Sequence, residues 1–98
     1  MTMHTKLRYK MLMHELNQVV RKHDPIGLIA MGAPEDEYEA EVGTIAPRLR
    51  TAQSAQETTR IVYEEFVHWF GEESTTGPES SYAALGEAIW QLTRKYFG

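Results

Sequence analysis

The chain has 98 residues, with 14 acidic side chains against 10 basic, four histidines, no cysteine and 42% hydrophobic residues. That length supports one domain around one core, and the missing cysteine excludes a disulfide scaffold, thiol catalysis, an Fe–S cluster and a cysteine-based zinc site. A net charge of −4 argues against nonspecific nucleic-acid binding. No apolar run approaches the roughly 20 residues that a membrane span requires. The polar, basic opening MTMHTKLRYK leads into no signal-type apolar block. The expectation is a soluble, cytoplasmic, single helical domain.

The first predicted helix runs from about Thr5 to His23. At 100° per residue, Tyr9, Leu12, Met13, Leu16, Val19, Val20 and His23 share one face, with Lys6, Lys10, Asn17 and Arg21 opposite. Asp24-Pro25 ends it, because proline disfavours a helical conformation in the residue before it. Asp24 can then cap a short turn through Ile29, with Pro25 as its first residue.

Gly32-Ala33-Pro34 makes a second break, after which Pro34 can start a helix with Glu35, Asp36 and Glu37 in its first turn. Tyr38, Val42, Ile45 and Leu49 follow as a continuous stripe that Pro47 should kink or end. Ser54-Ala55-Gln56-Glu57 reads as a capping box, in which Ser and Glu satisfy each other's free backbone N–H groups. The helix it opens aligns Val62, Tyr63, Phe66, Trp69 and Phe70 and stops at Gly71, a natural residue to follow a helix end. Glu72–Glu79, rich in Ser, Thr and Gly, reads as a loop. A last helix from about Ser80 aligns Tyr82, Leu85, Ile89, Leu92 and Tyr96. The fold class expected is an all-α bundle of four main helices plus the short Asp24–Ile29 turn.

Charge is unevenly placed. Five of the 14 acids (Glu35, Asp36, Glu37, Glu39 and Glu41) fall within seven residues, while five of the ten basic residues lie in the first helix. Such a run is either a solvated face that complements a helix dipole or a docking surface that steers a basic partner. Glu65-Phe66-Val67-His68 has the Glu-x-x-His spacing of di-iron bundles, but those sites need two copies and further glutamates. His23 is expected to hydrogen-bond at the helix end, and His4 to lie in a frayed terminus. No metal or other cofactor is expected. Phosphate-loop, G-x-S-x-G and H-E-x-x-H patterns are all missing, so no catalytic residue is assigned and an enzyme is not expected. Two pairs of apolar side chains, Leu7 with Met11 and Trp90 with Phe97, lie off the core stripes. Trp and Met are favoured interface anchors, and a homodimer would use the same residues.

The segment Asp24-Pro25-Ile26-Gly27-Leu28-Ile29, followed by Gly32-Ala33-Pro34-Glu35-Asp36-Glu37-Tyr38 and Glu41-Val42, resembles a family of small helical bacterial proteins with a D-P-I-G-L … G-A-P-x-D-E-Y signature. The resemblance covers residues 24–49. It implies no catalytic residue. Some members look like immunity proteins encoded beside secreted toxins of contact-dependent or related interbacterial competition, which implies protection of the producing cell by binding a cognate toxin domain. A nuclease is the toxin that an acidic binder suits, since carboxylates can stand in for phosphates in a basic cleft. The contacts expected on this reading are Glu35, Asp36, Glu37, Glu39, Glu41 and Trp90, with no direct contact to nucleic acid or membrane. The signature also has a structural reading: Asp24 and Pro25 as cap and first residue, Gly27 and Gly32 where a side chain would clash, and Tyr38 packed in the core. The alternative function is a homo-oligomeric structural or regulatory helical protein.

Overall fold

In α1 (Thr2–His23), Leu12, Leu16 and Val20 recur at every fourth position and are fully buried, with Tyr9, Met13 and Val19 packed at their margins. The computed structural model describes the backbone of residues 2–71 and 73–97, and the side chains of 6–71 and 75–97. Arg21 and Lys22 close α1 with positive charge at the negative end of its dipole. The helix stops at Asp24, as Pro25 requires. Its backbone enters the left-handed region at φ 47°, a conformation that Asp tolerates better than most residues, and its N–H donates to the Val20 carbonyl at 2.8 Å. His23 does not join the apolar face; it is exposed.

Residues 25–38 form turns rather than helix. The helix expected to begin at Pro34 starts instead at α2 (Glu39–Ile45), which buries Glu41, Val42 and Ile45. Pro47 acts as foreseen: α2 gives way to a 3₁₀ helix over Ala46–Thr51, with the proline, which has no N–H to continue the α-helical ladder, in its first turn. Arg48 on this 3₁₀ helix reaches Glu64 at 2.8 Å and Glu65 at 3.0 Å.

Helix α3 (Ala55–Phe70) has both predicted ends. Ser54 Oγ accepts from the Glu57 N–H at 3.0 Å, and the Glu57 carboxylate turns back to accept from the Gln53 N–H at 2.7 Å, one residue earlier than a standard capping box. Gly71, at φ 85°, caps the far end through Val67. The stretch expected as a loop holds a single helical turn, α4 (Glu73–Thr76). A 3₁₀ segment, Glu79–Tyr82, then leads into α5 (Ala83–Phe97), so the last helix begins three residues later than Ser80.

Among the described residues the architecture is all-α. Helix α5 packs against both α3 and α1, and α2 lies across α1 and α3. Phe66, fully buried, sits 5.8 Å from Tyr38, 5.8 Å from Phe70 and 5.6 Å from Tyr82, within the range of favourable ring pairs. Tyr82 keeps its hydroxyl satisfied by donating to the Thr76 carbonyl at 2.6 Å. Gly86 is where α5 crosses α3: a Cβ there would stand 2.7 Å from Thr59 Cα and nearer still to its hydroxyl. Trp69, expected in the core stripe, lies at its edge, 44% exposed, with Nε1 donating to Thr44 Oγ1 at 3.0 Å.

Candidate functional site

The acidic run is held in place by a clasp made between two ends of the signature segment. Tyr38 is buried, and its hydroxyl donates to Asp24 Oδ1 at 2.6 Å. The same hydroxyl accepts from the Ile26 and Leu28 N–H groups at 3.2 and 3.4 Å. Asp24 in turn accepts from the Ile29 N–H at 3.0 Å through Oδ1 and from the Ala30 N–H at 2.9 Å through Oδ2. Asp24 therefore caps residues five and six positions on, at the far side of the turn from where a helix N-cap would reach. Burial works to raise the carboxyl's pKa, but the hydrogen bonds from Tyr38, Ile29, Ala30 and Leu28 together hold it below its ordinary value. Burial, then the neighbouring Asp24, pushes the Tyr38 phenol far above its own.

Gly27 and Gly32 take φ of 82° and 95° with no atom near a would-be Cβ. Backbone conformation, and not lack of room, is what requires glycine there. The Ala33 N–H donates back to Leu28 at 3.0 Å, closing the turn, and the Glu37 and Glu39 N–H groups donate to Pro34 and Asp36, each at 3.1 Å. Glu35, Asp36, Glu37 and Glu39 are thereby displayed as exposed side chains on a backbone tied to the core. The Glu35 side chain is 87% exposed and comes within 3.8 Å of Arg21.

Glu41 departs from that group. Only 4% exposed, it lies on the buried side of α2, one helical turn before Ile45. Burial, opposed by its own backbone N–H and reinforced by Glu37, raises its pKa. A partner meeting the acidic turn would find four carboxylates and not five. Trp90 is half-buried and away from them. With Leu49, Arg50, Arg94 and Phe97 it lines a cleft of about 140 Å³, where Arg94 lies over the Trp90 ring at 5.7 Å and Arg50 over Phe97 at 5.2 Å.

Met31 is the apolar residue that sequence periodicity missed. It lies between the breaks at Asp24-Pro25 and Gly32-Ala33-Pro34, where no helical period assigns a face, and it is 73% exposed. Leu7 and Met11, read as lying off the core face, are exposed. His68 is exposed against Trp69, while the glutamate of its Glu-x-x-His spacing, Glu65, is paired with Arg48. The side chain of His4 lies outside the described residues. Among the described residues no three His, Asp or Glu side chains gather as a metal site, and no helix is long and apolar enough to cross a membrane. No protein-family model matches the chain, and no curated protein or solved structure matches it.

Proposed function

We propose that this chain is an immunity-type binding protein, acting in the cytoplasm without catalysis, that neutralises a cognate bacterial toxin domain by occluding its active surface, a basic nuclease cleft being the surface its chemistry suits. The observation that supports this most is the clasped acidic turn. Glu35, Asp36, Glu37 and Glu39 stand exposed on a segment whose backbone is tied to the core through Asp24 and Tyr38. Carboxylates on a fixed backbone lose little freedom when a partner docks, and their shared sign speeds the encounter with a basic surface.

The test has two steps. A secreted protein with a variable C-terminal toxin domain should be encoded beside this chain, and co-expression of the chain should restore growth to cells that express that domain. The E35K/D36K/E37K variant, whose three positions are exposed and outside any helix, should fold normally yet lose protection. Full protection by the variant, or the lack of any neighbouring toxin, would end this reading. The second reading, a homo-oligomeric helical protein, is favoured by exposed Met31, Leu7, Met11 and Phe97.

A further inference from the structure

The two ends of the molecule are complementary to each other. At one end, the run of turns over residues 25–38 exposes Met31 and, a few residues on, Glu35, Asp36 and Glu37, with Glu39 exposed at the start of α2. At the other, Arg50 and Arg94 flank the cleft formed with Trp90 and Phe97. Arg8 donates to the Tyr96 carbonyl beside that cleft, whereas Arg21 approaches Glu35. Those two arginines are 13 residues apart on α1, so the two features are separated along the helix by about 20 Å. In a molecule measuring 44 × 28 × 19 Å, they cannot meet within one chain.

The cleft's size selects its occupant. Pockets for drug-sized ligands span about 300–1,000 Å³, and this one, at about 140 Å³, has room for a single large side chain. Its chemistry selects further. Neither Arg50 nor Arg94 has a carboxylate partner among the described residues, and the rings between them suit a thioether, which makes favourable contacts with aromatic edges. A methionine with carboxylates a few residues away meets both demands. Symmetric pairing through Leu7 and Met11 is disfavoured, since α1 carries Lys6, Arg8, Lys10, Arg21 and Lys22 against the single acid Glu15, and two such helices would repel.

We propose that the acidic, Met31-tipped turn of one molecule docks head to tail in the Arg50–Trp90–Arg94–Phe97 cleft of a second copy. Because the two surfaces differ, the contact is heterologous: each molecule keeps one free knob and one free cleft, so assembly continues as open chains or rings. One knob in one cleft is a small interface of the weak class, for which a Kd of about 0.1–1 mM is expected. Charge pairing makes it salt-sensitive. This proposal does not rest on the toxin-binding reading, and its cleft variants leave the acidic turn intact.

The experiment is sedimentation equilibrium at about 20 mM and about 0.5 M salt, where the screening length differs several-fold. The wild-type average mass should rise with concentration at low salt and fall back at high salt. R50E/R94E and M31S/E35K/E37K, all at exposed positions and checked for fold by circular dichroism, should each associate at least about ten-fold more weakly. Mixed one to one, R50A/R94A and M31S/E35Q/E37Q, which reverse no charge and so create no new pair, should form a dimer and nothing larger, because only one intact knob and one intact cleft then remain for each pair. A wild type that stays monomeric at about 1 mM would overturn the proposal. So would association that survives R50E/R94E, or a mixture that stays monomeric.

Discussion

Replacing Tyr38 with phenylalanine removes one oxygen from the core and leaves its ring contact with Phe66 in place. The lost oxygen donates to an ionised carboxylate at 2.6 Å and accepts from two backbone N–H groups at 3.2 and 3.4 Å. A hydrogen bond to a charged group contributes about 1.5–3 kcal/mol. The two N–H groups, at half-buried residues, recover water only in part. We therefore expect Y38F to cost about 2–3 kcal/mol, a large share of the roughly 5–15 kcal/mol that holds a domain together. For a chain of this size that corresponds to a fall in Tm of about 10–20 °C. Urea unfolding should show a lower midpoint with an unchanged slope.

The pH dependence makes the reasoning specific. The Asp24 carboxyl is held below its ordinary value of 3.8, so its stabilisation is complete above that pH and is lost as pH falls through the lower folded value. Y38F removes part of what lowers it. Wild type and variant should then converge as the solution is taken below about pH 4. A cost under about 0.5 kcal/mol, or a gap that persists unchanged into strong acid, would refute the clasp as the anchor of the acidic turn.

Three further substitutions probe separate parts of the molecule. G86A forces a Cβ onto Thr59 and should destabilise by about 1–3 kcal/mol; T59A should restore only part of this by thermal unfolding, since the Thr59 backbone also lies too close. E41Q removes a buried carboxylate whose raised pKa opposes folding at neutral pH. It should raise the urea midpoint at pH 7, and the gain should vanish at acid pH, because protonating Glu41 relieves the same penalty as pH falls through its folded value. S54A should cost about 1 kcal/mol by urea unfolding, the usual effect of losing an N-cap.

The parts of the fold legible in sequence are those fixed by neighbours along the chain. Helix α3 shows both ends because each signal is local: Ser54 and Glu57 act within one turn at the start, and Gly71 acts on Val67, four residues before it, at the finish. Pro47 and Asp24-Pro25 act on adjacent residues, and their breaks are where they should be. The acidic segment defeated the same reasoning. Pro34 and three acids carry a helix-start signal, but Tyr38 is drawn to a carboxylate 14 residues earlier, and that long-range bond keeps residues 35–38 in turns. Starting the helix at Glu39 then placed Glu41 inward, which no charge count could show. Of the expected contact residues, Glu35, Asp36 and Glu37 share the exposed turn and Glu39 stands exposed at the start of α2, while Trp90 belongs to the cleft at the other end.

The seam between the first and last helices has a consequence for how the chain is made. Glu15 accepts from Lys95 at 3.3 Å and also from the Tyr96 hydroxyl, while Arg8 binds the Tyr96 carbonyl. These partners are separated by 80 to 88 positions. At a synthesis rate of about 5–20 residues per second, α1 waits roughly 4–15 s on the ribosome before α5 exists to cover it. Through that interval the amino-terminal half of α1 lacks its packing partner, which leaves the apolar face of nascent α1 open to chaperone capture.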